Sequence, residues 1–263
     1  RIRSLLASMN KRLKDKEIAQ GDYGVYKKPF SKDMKKDYTI LIPLMIPVHF
    51  ELIEAAVNAC GYNAVLLREC TEHTVETGLK YVNNDACYPS ILTTGQFVEA
   101  LQSGKYDVDK TAIIMSQTGG GCRATNYIGF IRKALKDAGF SQVPVISFNV
   151  VGMEKNPGFK LTPKLAEKLL RAVILGDLLQ KMFHKNKAYE VNNGETQKLY
   201  DTWVDRARDI VANGTWKQFK QSIYDIVEDF EKIELDMSVI KPRVGIVGEV
   251  LIKYHPFNIS SNK

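Results

Sequence analysis

From residue 38 onward, short apolar runs rich in β-branched residues alternate with segments of helical periodicity, and this alternation constrains the fold most strongly. The run Ala112-Ile113-Ile114-Met115 is continuously apolar, as expected for a strand covered on both faces of a parallel sheet. The series therefore predicts an α/β fold, a Rossmann-like doubly wound parallel sheet with additional C-terminal helices. Strands are predicted at residues 38–46, 63–67, 111–116 and 143–149, and helices at 50–60, 90–101, 126–138, 162–186, 195–211 and 215–237.

Changes in composition divide the chain into four predicted regions. Residues 1–37 are polar and basic and are expected to form a basic N-terminal arm, in which residues 2–13 are a candidate docking helix. Residues 38–190 form the predicted α/β domain, and residues 191–240 form a helical segment. A new apolar run at residues 243–248 predicts that residues 241–263 contain the first strand of a second, truncated α/β unit.

Composition excludes several classes of protein. Of the 263 residues, 44% are hydrophobic and 25% are charged, as in ordinary globular proteins. No apolar run reaches the roughly 18 residues that cross a bilayer, and no secretory leader is present, so we predict no membrane partner. The net charge of +7 comes largely from the first 37 residues, without aromatic stacking or zinc-finger motifs, so we predict no nucleic-acid partner.

The four cysteines are too sparse for a disulfide scaffold and include no CxxC pair. A reducing, cytoplasmic location is therefore expected. Because the chain begins with Arg1 and stops within a predicted α/β unit, we interpret it as a fragment of a longer polypeptide.

Two of the cysteines lie in polar turns. Cys87 belongs to NNDACYP (residues 83–89), and Cys122 belongs to SQTGGGCR (residues 116–123). A packing cysteine usually lies on a periodic apolar face, and because Cys60 lies on the apolar face of a predicted helix we predict packing for it, whereas Cys70 could either pack or bind a metal. Because loops at the carboxyl ends of parallel strands converge, the exposed thiols can act as nucleophiles, redox groups or metal ligands. Cys70, which follows the second strand, is a candidate third ligand.

The glycine-rich segment after the third strand permits a second interpretation. Gly119, Gly121 and Ala124 satisfy G-x-G-x-x-[G/A] between a strand and a helix, which is the context of a dinucleotide-binding turn. No acidic residue ends the following strand, and a turn that needs positive φ explains these glycines almost as well. Among the four histidines, His49 is the most plausible partner for a nucleophilic cysteine, although a structural role is favoured. The candidate cofactor-binding residues are Gly119, Gly120, Gly121, Arg123 and Asn126.

Several longer segments together resemble the 2-hydroxyglutaryl-CoA dehydratase D-component family. The closest resemblance is to the version found in long CoA-substrate-specific enzyme activase, or acyl-CoA dehydratase activase-related, proteins. It extends from about Tyr38 to about Asn258 and is densest over residues 78–158. The segments are GLKYVNNDACYP (78–89), GQ (95–96), GKYD (104–107), QTGGGCRATNYI (117–128), VPVIS (143–147) and GIVGE (245–249).

The resemblance implies an iron–sulfur cluster of the cubane, 4Fe-4S type, held by cysteines around a cleft, and a role in ATP-driven, low-potential electron transfer. Cys87 and Cys122 match the cysteine loops of the family, which implies a ligand role for both, and Cys70 is a candidate third ligand. The candidates for orienting a molecule on an open iron are Asn84, Asp85, Arg123 and Asn126, whose alternative role is to stabilise turns.

The actin-like ATPase domain of the long relatives lies outside this chain. The resemblance therefore implies, as partners, that ATPase domain or other domains of the same polypeptide, an acyl-CoA substrate and a second copy of the chain. Whether the fragment is itself an enzyme stays open. Two alternatives also stay open, a metal-free Rossmann-type domain that binds a nucleotide or CoA, and a module that docks a partner.

Overall fold

The computed structural model describes residues 27–83, 85–149, 154–238, 240–242, 244–245, 247–248 and 250–255. The candidate docking helix at residues 2–13, most of the basic arm and Asn84 lie outside the described residues.

The core is a sheet of four parallel strands in the order β2-β1-β3-β4. Leu41 in the middle of β1 pairs with Val65 on one side and with Ile113 on the other. The chain therefore places β2 on one side of β1 and then β3 and β4 on the other side. This reversal of direction confirms the predicted doubly wound α/β fold. The strands are β1 (Thr39–Pro43), β2 (Asn63–Leu67), β3 (Thr111–Ser116) and β4 (Val145–Phe148).

Helices cover both faces of this sheet. Ile40 and Ile42 of β1 pack on the side of α2 and α6, whereas Leu41 and Ile113 pack on the side of α4 and α5. The helices are α1 (Met34–Asp37), α2 (Pro47–Asn58), α3 (Glu72–Tyr81), α4 (Tyr88–Gln102), α5 (Tyr127–Asp137), α6 (Pro163–Lys187), α7 (Glu195–Asn213), α8 (Trp216–Glu231) and α9 (Val250–Tyr254).

The C-terminal helices share a core with the sheet domain. Leu52 of α2, Leu175 of α6, Trp203 of α7 and Phe219 of α8 belong to one cluster of buried apolar side chains. The predicted helical segment after residue 190 thus packs directly against the α/β layer.

The structure corrects the sequence prediction at several places. Helix α3 was missed because its buried residues are Thr74, Thr77 and Gly78, which produce no apolar periodicity. The first strand ends at Pro43, three residues early, since Pro47 begins α2. The last long helix ends at Glu231, not at residue 237. The described residues within the predicted strand at 243–248 form no strand, and Val244 and Val247 are exposed.

Side chains close the outer edge of β2. The Asn58 amide accepts a hydrogen bond from the Ala64 N–H at 2.6 Å and donates one to the Ala64 carbonyl at 3.0 Å. The buried Glu54 carboxylate accepts from the Leu66 N–H at 2.8 Å and pairs with Arg68. These bonds occupy backbone groups that would otherwise be free to pair with a strand of another molecule.

The outer edge of β4 is closed in a similar way. Arg132 donates to the Val145 carbonyl at 3.2 Å, and the Asn156 amide donates to the Ser147 carbonyl at 3.1 Å. Arg132 also forms a two-bond pair with Glu154, at 2.9 and 2.6 Å, which lowers the pKa of that carboxyl. Side chains therefore hydrogen-bond backbone groups on both lateral edges of the sheet.

Candidate functional site

The Cys87 loop connects two helices that touch through glycines. A Cβ atom on Gly78 of α3 would lie 2.1 Å from the Ile91 carbonyl oxygen, and one on Gly95 of α4 would lie 2.0 Å from that of Thr74. Only residues without a side chain permit this backbone contact. The close crossing of α3 and α4 fixes their short connection and places Cys87 at the N-cap of α4.

Side chains within the glycine-rich loop close it on itself. The Gln117 amide donates to the Thr125 carbonyl at 3.0 Å, and the Thr125 hydroxyl donates to the Gly120 carbonyl at 3.0 Å. Gly119 adopts φ of +74°, a conformation that side chains disfavour, so a turn requirement explains this glycine. A Cβ on Gly120 or on Gly121 would meet no atom within 4 Å. The space in front of these two glycines is therefore open.

Cys122 lies at the exposed end of this loop, where it caps a 3-10 turn formed by Arg123–Asn126. Its sulfur accepts a hydrogen bond from the Ala124 N–H at 3.4 Å. Asn126 ends the turn just before α5, and its side chain makes no cap to that helix.

Two contacts join the loops that carry the cysteines. The Arg123 guanidinium, next to Cys122, donates to the Asp85 carbonyl at 2.9 Å, two residues before Cys87. The sulfur of Cys87 lies 2.8 Å from the hydroxyl of Tyr127, the first residue of α5. Cys87 is half-buried, and Tyr127 is buried. The structure thus brings together the two loops in which the sequence placed the candidate ligands.

Cys70 has a different environment. Burial raises the pKa of its thiol to about 11, although a hydrogen bond with Thr74 acts in the opposite direction. The nearby Glu99 carboxylate raises this pKa further. The Cys70 thiol of the metal-free chain is therefore protonated at neutral pH.

The described residues do not form a complete metal site. Among them, no three His, Cys, Asp or Glu side chains are arranged to hold a metal ion. Within this part of the chain, Cys87 and Cys122 therefore belong to no group of three potential metal ligands. Cys60 packs against the apolar cluster on the α2 side of the sheet, as predicted.

His49, the candidate partner of a nucleophilic cysteine, has a structural position in α2. Its Nε2 atom lies 2.9 Å from a carboxylate oxygen of Asp177, and its ring packs directly over Gly176 of α6. The hydrogen bond of His49 to α6 agrees with the structural role that the sequence analysis favoured over pairing with a cysteine.

A polar network that sequence analysis missed joins the ends of β3 and β4. The Ser147 hydroxyl donates to the Gln117 side-chain oxygen at 2.6 Å, and the Asn149 amide donates to that hydroxyl at 2.8 Å. The available signal was the position of all three polar residues at or just beyond strand ends, where side chains from adjacent parallel strands meet.

Comparisons with known proteins identify no relative, since no family model, curated protein or solved structure matches the chain. Within the described residues, no helix has both the length and the apolar character required to cross a membrane. Functional inference for this chain therefore rests on its sequence and geometry.

Two pockets at the carboxyl ends of strands are lined by neither Cys87 nor Cys122. One is apolar, has a volume of about 180 Å³ and is bordered by Pro43, Ile114 and Phe148 at the strand ends. The other is polar, has a volume of about 330 Å³ and lies beside the end of β2.

Proposed function

We propose that this chain is the iron–sulfur module of a 2-hydroxyacyl-CoA dehydratase-like or CoA-substrate-specific activase system. In this proposal, Cys87 and Cys122 provide two thiolate ligands. The observation that carries the proposal is the junction of the two loops through the Arg123 bond to Asp85 and the contact of Cys87 with Tyr127.

The surroundings of Cys87 suit an anionic sulfur. The residue caps the 15-residue helix α4, and the N-terminal end of a helix favours negative charge. The Tyr127 hydroxyl is within hydrogen-bonding distance of the sulfur and can donate to it. A hydrogen bond of this kind is a recognised way to tune a metal–thiolate centre.

The surroundings of Cys122 suit an approaching group of substantial size. The sulfur is at the exposed end of the loop, and the open space at Gly120 and Gly121 allows close approach to the backbone. When bound, an iron–sulfur cluster would supply one-electron transfer at low potential. Arg123 would then hold the two ligand loops together.

The remaining ligands are proposed to come from beyond the cysteines of this chain. Cys60 packs against the core, and Cys70 lies beside Thr74 and Glu99. We propose that the remaining ligands are provided by another domain of a longer polypeptide, by a partner chain or by a small thiol.

Anaerobic reconstitution tests this function. The full chain is incubated with iron, sulfide and an excess of a small thiol that can supply the missing ligands, and iron content and visible absorption are measured. We expect broad visible absorption that Cys87→Ser and Cys122→Ser each abolish. Cys60→Ser and Cys70→Ser are the matched controls and should retain it. Absence of the absorption, or its persistence in both ligand variants, would contradict the proposal.

The open glycine-rich loop also favours a second candidate, a metal-free domain that binds CoA or a nucleotide. Gly120 and Gly121 leave room for a phosphate against the backbone, and Arg123 adds a positive charge beside them. Calorimetric titration of the iron-free chain with CoA and with ATP tests this candidate. Saturable binding that Gly121→Val eliminates would support it, whereas absence of binding to both compounds would reject it.

A further inference from the structure

The polar pocket beside β2 is separate from the cysteine loops. It lies between the end of β2, the following segment and one face of α4, and its volume is about 330 Å³. This volume is near the lower end of small-molecule sites, which span roughly 300–1,000 Å³. The lining residues that matter here are Leu67, Arg68, Gln96, Glu99, Lys105 and Tyr106.

Gln96 contributes an unpaired acceptor. Its side chain is almost fully buried, and its Oε1 atom has no hydrogen-bond partner among the described residues. Its Nε2 atom lies 3.5 Å from the Leu67 carbonyl oxygen. Because that carbonyl can only accept, the amide N–H₂ faces it and the unpaired atom is the oxygen. A buried acceptor without a donor is unfavourable, and a ligand N–H would satisfy it.

Charges of both signs line the same pocket as Gln96. Glu99, one helical turn after Gln96, accepts a hydrogen bond from the Thr74 hydroxyl. Lys105 lies 3.6 Å from Glu69 in an exposed pair, which is weak enough for a ligand to replace. Arg68 adds a second positive charge, although it already pairs with Glu54.

We propose that this pocket binds a small zwitterion of the size of an α-amino acid. Its ammonium group would donate to Gln96 and Glu99, and its carboxylate would face Lys105 and Arg68. A simple anion would leave the Gln96 acceptor unpaired and would be repelled by Glu99. A simple amine would be repelled by Lys105 and Arg68. The zwitterion satisfies both sets of groups.

Calorimetric titration of the full chain with a panel of common L-amino acids is the direct test. We expect saturable binding of at least one of them, and at least tenfold weaker binding of its analogues that lack either the amino or the carboxyl group. No saturation by any amino acid up to about 10 mM, well above the Kd of a specific metabolite site, would overturn the proposal. Equal binding of the amino acid and its deaminated analogue would also overturn it.

Variants locate the binding site. Gln96→Leu removes the unpaired acceptor and should weaken binding at least tenfold, while Gln102→Leu, at an exposed position of the same helix, should not change it. Lys105→Met, at an exposed position, tests the carboxylate contact without disturbing the core and should also weaken binding at least tenfold. Binding that is unchanged in both Gln96→Leu and Lys105→Met would contradict the assignment. The inference is independent of the iron–sulfur proposal, since Cys87→Ser should leave amino-acid binding unchanged.

Discussion

The lateral edges of the sheet and its carboxyl edge are completed in different ways. At the lateral edges, Glu54, Asn58 and Arg132 hydrogen-bond the outward-facing backbone groups of β2 and β4. At the carboxyl edge, the chain instead continues into glycine-rich and cysteine-containing loops whose contacts leave Cys122 exposed. The difference indicates that the lateral edges stabilise the fold, while the carboxyl edge leaves side chains such as Cys122 accessible.

Two of the cysteines differ in their exposure to solvent in a similar way. Cys70 follows β2 and is half-buried beside Thr74 and Glu99, whereas Cys122 follows β3 and is exposed. Position after a strand is therefore insufficient to make a thiol available. The four predictions below test the contrast between closed and open regions.

The largest expected effect concerns the reactivity of Cys70. With a pKa of about 11, about one Cys70 thiol in a thousand is ionised at pH 8. Alkylation by iodoacetamide, followed by mass spectrometry, should be on the order of 100-fold slower at Cys70 than at a small free thiol. The rate at Cys70 should still increase between pH 8 and pH 10. A plateau below pH 9 would contradict the raised pKa, and the exposed Cys122 serves as an internal comparison.

The next largest effect is expected at the crossing of α3 and α4. Gly95→Ala places a methyl group against the Thr74 carbonyl and should lower the free energy of unfolding by about 3 kcal/mol, measured by urea denaturation. Gly129→Ala in α5 is the matched control, because a Cβ there meets no atom within 4 Å. This control should raise the stability by about 0.5 kcal/mol, as is usual for such a change within a helix. Equal stability of Gly95→Ala and the wild type would show that the crossing relaxes.

Removal of the Glu54 side chain from the outer edge of β2 should have a smaller effect on the unfolding free energy. Glu54→Ala removes the acceptor of the Leu66 N–H and the partner of Arg68, and we expect a loss of about 2 kcal/mol in unfolding free energy. Because Arg68 is half-exposed, water replaces part of its lost interaction. Glu231→Ala, at an exposed position, is the control. If the edge is protective, Glu54→Ala should also self-associate in size-exclusion chromatography, and a stable monomer would argue against that role.

The smallest effect on the unfolding free energy is expected at the contact between Tyr127 and Cys87. Tyr127→Phe removes the hydroxyl near the Cys87 sulfur and should lower the stability by about 1 kcal/mol. A double-mutant cycle with Cys87→Ala measures the coupling between the two groups, which should be about 0.5–1 kcal/mol. Tyr224→Phe, at an exposed position, should have no effect. A coupling of zero would mean that Tyr127 does not support this thiol.

Much of the fold could be predicted because hydrophobic periodicity is a local property. The strands at residues 63–67 and 111–116 have the predicted bounds, and the long helix after residue 162 was predicted within one residue at each end. Helix α3 could not be predicted in this way, because its contact with α4 depends on the small residues Thr74 and Gly78. The iron–sulfur role and the family resemblance stay predictions.

The amino-acid sequence by itself determined the α/β order of elements and the position of Cys87 and Cys122 in polar loops, since both follow from neighbouring residues. Only the tertiary structure decided which loops meet, how far Cys70 is buried and that the Oε1 atom of Gln96 has no hydrogen-bond partner among the described residues. Those features depend on contacts between residues far apart in the chain, such as the bond from Arg123 to Asp85. Such contacts form because helices and strands pack as whole units, and no local pattern encodes their side-chain geometry.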